Sequence, residues 1–172
     1  MKNFKFNYAF LATVISLILF VFQQIMYLVD PQNNIFSHLG MVILLLILNL
    51  IIMLGFLKIA IKQKLYNLKL STLVVMITSV IIYILSYTIL NEENFLLAYS
   101  FILISGLLLI WFGASLRSIK SYNKLINYLS LSYIAQGIFS ITIVFLFLIP
   151  VLYIIILTLQ LVFFNKLKNK YD

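Results

Sequence analysis

A bundle of membrane-spanning α-helices is the fold class the sequence predicts, and three observations carry that expectation. Hydrophobic residues make up 65% of the 172 positions and charged residues 9%, with a mean hydropathy of +1.17, and no water-soluble core could hide that much apolar surface. The apolar residues fall in runs of roughly 20, the length at which a helix rising about 1.5 Å per residue crosses a hydrocarbon layer of about 30 Å. Lys and Arg are confined to short segments between alternate runs and at the two ends. The expected architecture is an all-α polytopic transmembrane bundle, one domain over residues 1–172, with six spans and both termini cytoplasmic.

Each span is justified by what ends it. Lys2 and Lys5 precede a first run over about 8–29, in which only Gln23 and Gln24 are polar near the far end. Asp30, Pro31, Gln32, Asn33 and Asn34 then supply turn chemistry, because proline fixes its own dihedral and Asp and Asn bond back to nearby backbone. A second run over about 36–57 leads into Lys58, Lys62, Lys64 and Lys69. The third, about 70–90, ends at Asn91, Glu92, Glu93 and Asn94, and the fourth, about 95–116, stops at Arg117, Lys120 and Lys124.

The remaining stretch decides the count. Residues 125–164 carry no charge, and a single straight helix of that length would reach about 60 Å, twice the hydrocarbon thickness. A hairpin near Phe147 to Pro150 divides it into spans over about 125–146 and 149–166, with Pro150 tolerated in the first turn of the sixth helix because its missing N–H has no partner there. Loop charge agrees. With six spans all twelve Lys and Arg residues fall on one side and Asp30, Glu92 and Glu93 on the other, as the positive-inside rule requires. Five spans, with 125–164 as one kinked and tilted helix, is the alternative, and it would leave Lys166, Lys168 and Lys170 outside.

The same layout accounts for a sequence pI of about 9.7. Basic residues spread over four short cytoplasmic segments suit an anionic leaflet rather than a nucleic acid. The alternation of Lys with Ile, Leu and Tyr over residues 58–70 reads as a helix extension, or as a docking strip for a partner. The first run is too long for a signal peptide and is followed by no small-residue cleavage pattern, so it is expected to stay as an anchor. Cysteine is absent from the sequence, so disulfides and thiolate chemistry are not available.

The chemical inventory predicts no catalytic residues, no metal site and no cofactor. His38 is the one histidine and stands at the outer start of the second span. Asp30, His38, Glu92 and Glu93 match no ligand spacing and read as solvated loop charges. Ser105-Gly106 reads as a packing notch, since small residues let helices approach closely. No Asp, Glu, Lys or Arg falls near the middle of any run, which disfavours a pump built on a buried carboxylate. The midplane does hold three amides, Asn49, Gln136 and Gln160. They are the candidate binding residues, either bonding across helices or lining a small polar cavity whose mouth would include Gln23, Gln24, His38 and Tyr99. Gly106 with Gly113, and Gly137 with Ser140, give the fourth and fifth spans smooth faces suited to internal packing or to a subunit interface. Tyr27, Tyr66, Tyr87, Tyr122 and Trp111 read as interfacial anchors.

In size and layout alone, with no motif involved, the chain resembles the substrate-capture subunits of vitamin importers and the rod-shape accessory protein of bacterial wall synthesis. Two functions are expected from the whole. The first is a non-catalytic membrane subunit, an accessory, scaffold or assembly partner that meets the lipid bilayer and another membrane protein or a second copy of itself, in a bacterial cytoplasmic membrane. The second is a small transporter or substrate-capture subunit with a polar cavity at the midplane.

Overall fold

A computed structural model of the chain describes residues 4–29, 39–89, 95–119, 123–142 and 147–171. Six helices follow one another: α1 (Phe6–Val29), α2 (Leu39–Lys62), α3 (Tyr66–Ile89), α4 (Phe95–Leu116), α5 (Asn123–Ile141) and α6 (Ile149–Tyr171). There is no strand among the described residues. Helix is the one regular structure a single run can form in lipid, because every backbone N–H and C=O is then satisfied within the run. Five of the helices, all but α5, are long and apolar enough to cross a membrane. The chain is a multi-pass membrane protein.

Each helix packs on its neighbours in the chain, and α1 packs on α6, so the six close into a ring. The ring is filled from one end. Phe56 of α2 reaches across it, with its ring 5.4 Å from Phe112 of α4 and 5.0 Å and 5.8 Å from Phe164 and Phe163 of α6. Around that cluster Phe6, Ile52, Ile59, Leu68, Leu116, Ile126, Leu129 and Leu167 are buried. All of these lie in the halves of their helices that end at Lys or Arg. In the opposite halves, among residues whose side chains are described, burial is sparser: near the middle of the bundle it includes Leu48, Tyr133, Ile156 and Leu157, and further along α5 Gly137 and Ser140.

The basic segments extend the helices beyond the expected spans. α2 continues through Lys58 to Lys62, α3 begins at Tyr66 rather than near Leu70, and α6 runs on to Tyr171. Polar residues outside the hydrocarbon can go on adding helical turns, and hydropathy marks where the membrane ends, not where the helix does. Between α2 and α3 the chain reverses in a tight turn: Leu65 N–H donates to Ala60 O at 2.8 Å and Lys64 N–H to Ile61 O at 3.2 Å. Lys64 takes the left-handed backbone conformation, φ 55°, where helix ends usually carry glycine. Pro150 is the second residue of α6 and follows a short 3-10 turn at 147–148, within the first turn where its lack of an N–H costs nothing. Asp30 to His38, Asn91 to Asn94, and Lys120 to Tyr122 lie outside the described residues.

α5 is the most polar of the six and meets α4 over the largest contact. Two close approaches produce that fit. A Cβ placed on Gly137 would stand 2.5 Å from Gly106 O and 3.0 Å from Ile110 N, and one on Gly106 would stand 2.8 Å from Gly137 O. Backbone meets backbone here, so the smooth faces of α4 and α5 are spent on each other inside the protomer. Ser130 adds a bond across the seam, its hydroxyl donating to Gly113 O at 2.7 Å and accepting from Arg117 Nε at 3.1 Å.

Candidate functional site

The three amides do not converge. Gln160 is the middle residue of α6, on the stripe that also carries Ile156, Leu157, Phe163 and Phe164, and it is 2% exposed. Its Nε2 donates to Tyr133 Oη of α5, next to the aromatic cluster, where the Tyr133 ring stands 4.9 Å edge-on from Phe112. Asn49 is half-buried on α2, two helical turns from Phe56, and Gln136 is half-buried one turn beyond Tyr133 on α5. No hydrogen bond joins Asn49, Gln136 and Gln160 to one another among the described residues, and only Gln160 makes a side-chain bond across helices. Gln136 contributes its backbone carbonyl, which accepts from Ser140 Oγ at 2.9 Å.

Tyr133 is the hydrogen-bond partner that sequence reading passed over, because tyrosine in a membrane helix is expected at the interface. Its depth was the available signal: nine residues separate it from Lys124, about 13 Å of helix, well inside the hydrocarbon. The pair leaves one group unmet. Gln160 Oε1 is buried with no hydrogen-bond partner, and an amide has two donors and an acceptor to place.

An experiment separates glue from ligand site here. Replacing Tyr133 by Phe strands the Gln160 Nε2 donor as well, and the expected cost is about 0.6–2 kcal/mol, the range of interhelical bonds in membranes. Gln160→Leu alone would leave the buried Tyr133 hydroxyl unpaired in its turn, whereas Tyr133→Phe with Gln160→Leu removes both polar partners and is expected to be neutral or slightly stabilising. Equilibrium unfolding of the purified protein in mild detergent reads both values, and a double variant less stable than Tyr133→Phe alone would contradict this account.

Other singled-out groups find ordinary places. Ser105 donates to Ile102 O of its own helix at 2.9 Å, and it lines a cavity of about 150 Å³ between α3 and α4 together with Thr78 and Ser79. Gly106, its neighbour in sequence, faces α5 instead, so the two do not form one site. Tyr99 Oη donates to Ile141 O at 3.3 Å, joining α4 to the end of α5. No group of His, Cys, Asp or Glu among the described residues could hold a metal ion. Asp30, His38, Glu92 and Glu93 fall outside those residues.

The end of the bundle where α2, α4 and α6 finish is chemically distinct. Lys5, Lys58, Lys62, Lys64, Lys69, Arg117, Lys124, Lys166, Lys168 and Lys170 all gather there, and no described residue is Asp or Glu. Aromatic faces take the place of counter-ions. Lys58 Nζ donates to Phe4 O and lies 4.5 Å from the Phe6 ring centre, Lys62 Nζ lies 3.4 Å from that of Tyr171, and Lys168 Nζ 4.8 Å from that of Phe10. Each such contact contributes about 0.5–1 kcal/mol where exposed, and together they tie the ends of α1, α2 and α6. The α2–α3 turn projects from this end. It carries a notch of about 220 Å³ lined by Ala60, Ile61, Lys64, Leu65, Tyr66 and Lys69, with Tyr66 72% exposed and Ile61 45%.

The chain matches no protein-family model, no curated protein and no solved structure.

Proposed function

We propose that the protein is a non-catalytic subunit of a membrane complex, and that the α2–α3 turn is where it meets a partner. The observation that carries this reading is the notch itself, in which two lysines flank an apolar floor beside an exposed tyrosine. An exposed tyrosine beside a small apolar concavity is the kind of anchor that protein docking sites use. An acidic or carboxylate-bearing segment of the partner fits it, since the flanking charges are of one sign. By the positive-inside rule this face is cytoplasmic, in keeping with an assembly role in a bacterial inner membrane.

The test is native mass spectrometry of the tagged protein extracted gently from its own membrane. A foreign subunit in fixed ratio is expected, and the variant carrying Lys64→Gln, Tyr66→Ala and Lys69→Gln is expected to lose it while keeping its topology, as read by labelling of loop cysteines introduced singly. Retention of the partner by that variant would move the interface elsewhere on the protein.

One observation favours a second reading, a substrate-capture subunit: the unpartnered Oε1 of Gln160 at the middle of α6. A small molecule bearing an N–H or O–H would complete it. That reading expects a stoichiometric small molecule in the same spectra, lost in Gln160→Leu although the protein remains folded.

A further inference from the structure

An apolar groove runs down the outside of the ring between α1 and α2. Its volume is about 510 Å³, and Phe4, Tyr8, Leu11 and Ile15 form one wall with Ile51 and Leu54 on the other. Ala12 is the small residue in the groove, and it is buried. From Phe4 to Ile15 the groove extends about 16 Å at about 1.5 Å per residue, half of a hydrocarbon core of about 30 Å. That is the reach of one leaflet.

Cations stand at the groove's basic end. Lys58 follows Leu54 by one helical turn on the same face of α2, and its Nζ donates to the carbonyl of Phe4, which itself lines the groove. An ammonium has three protons, so the carbonyl bond and the contact with the Phe6 ring do not use all of them. Lys62 stands one turn further, exposed with its ammonium against the Tyr171 ring, and Lys5 is exposed beside Phe4. No described residue supplies a carboxylate to any of them, and Asp172, the one acid the sequence places at this end, is a single charge against twelve cations.

We propose that this groove is a binding site for an anionic phospholipid of the leaflet at the basic end, one acyl chain lying along Leu11 and Ile15 and the phosphate meeting Lys5, Lys58 and Lys62. The walls favour a flexible chain over a second helix. Close helix packing in membranes needs a row of Gly, Ala or Ser, and here bulky Leu, Ile, Tyr and Phe side chains surround one alanine. Charge decides the headgroup, because three cations with no acid partner are complementary to a phosphate that carries net negative charge and not to a zwitterion.

The experiment compares phosphatidylglycerol with phosphatidylcholine as defined probes. Delipidated protein is titrated with each lipid in detergent and followed by native mass spectrometry. The expected result is one phosphatidylglycerol held per chain at concentrations where phosphatidylcholine is not. Lys58→Gln with Lys62→Gln is expected to reduce that preference about 25-fold, since each lysine near a membrane surface is worth about fivefold. A folded reporter guards against a variant that fails to assemble. Leu11→Trp, made with Trp111→Phe, should be quenched by tail-brominated phosphatidylglycerol at a lower mole fraction than by the brominated choline lipid. Equal retention of the two lipids, equal quenching by both, or a dimer of the chain that excludes lipid from the groove would each overturn the proposal.

Discussion

Gly137→Ala should destabilise the protein by about 1–3 kcal/mol, the range for overpacking a tight contact, although the same change in an exposed helix interior stabilises by about 0.5–1 kcal/mol. The reversal follows from what the new methyl would meet. It would stand 2.5 Å from Gly106 O and 2.7 Å from Ile110 Cγ1, and a carbonyl in a helix cannot swing aside as a side chain can. α4 and α5 must separate, and the Ser130 bond to Gly113 O is stretched along with the seam. Gly40→Ala is the control with the opposite sign. Nothing lies within 4 Å of a Cβ there, so that variant should be as stable as the parent or more so. Reversible unfolding of the three proteins in one detergent reads the effect, and a Gly137→Ala protein as stable as the Gly40→Ala one would mean that the helices are further apart than described.

Phe56→Ala should have the other large effect. Phe56 is fully buried and touches three aromatic rings from two other helices, so its removal leaves a hole where α2, α4 and α6 meet. In water-soluble cores such truncations cost about 3–5 kcal/mol. Part of that figure is transfer out of water, which is missing here because lipid tails are as apolar as the ring. The loss left is dispersion and edge-to-face contact, and an effect near the lower bound, about 3 kcal/mol, is expected. Phe56→Leu should recover more than half of it. Protease resistance of the α2–α3 turn gives a second measurement, since a ring closed at one end through Phe56 holds that turn in place. Unchanged unfolding in Phe56→Ala would show that the centre of the bundle is not filled by this residue.

The helices were legible because hydropathy and charge both report on the membrane. Lys58 marks where α2 leaves the apolar run, Arg117 does the same for α4, and the uncharged 125–164 stretch is divided where its length demanded. The filled end of the ring was not legible. Around α4 nearly every residue is apolar, so no contrast distinguishes Phe112, which is buried, from Leu107, which faces outward. Lipid and protein interior are the same solvent to a side chain, and periodicity, the usual guide to a buried face, carries no information there. Small residues were the exception. Gly106 and Gly137 announce a close approach in the sequence, but which helix each one meets is settled only by the fold. The amides were half legible: that Gln160 needs a partner follows from its place in hydrocarbon, whereas the identity of that partner, Tyr133, does not.

The dependence of α5 on α4 bears on how the chain is made. A helix carrying Asn127, Ser130, Ser132, Gln136 and Ser140 in 19 residues partitions poorly into lipid from the insertion machinery. Several of its hydroxyls bond back to its own turns: Ser132 donates to Tyr128 O at 2.9 Å and Ser140 to Gln136 O at 2.9 Å. Ser130 instead needs the Gly113 carbonyl of the segment synthesised just before it. That bond can form only once α4 and α5 lie side by side, so α5 is expected to enter the bilayer together with α4 as one hairpin rather than on its own.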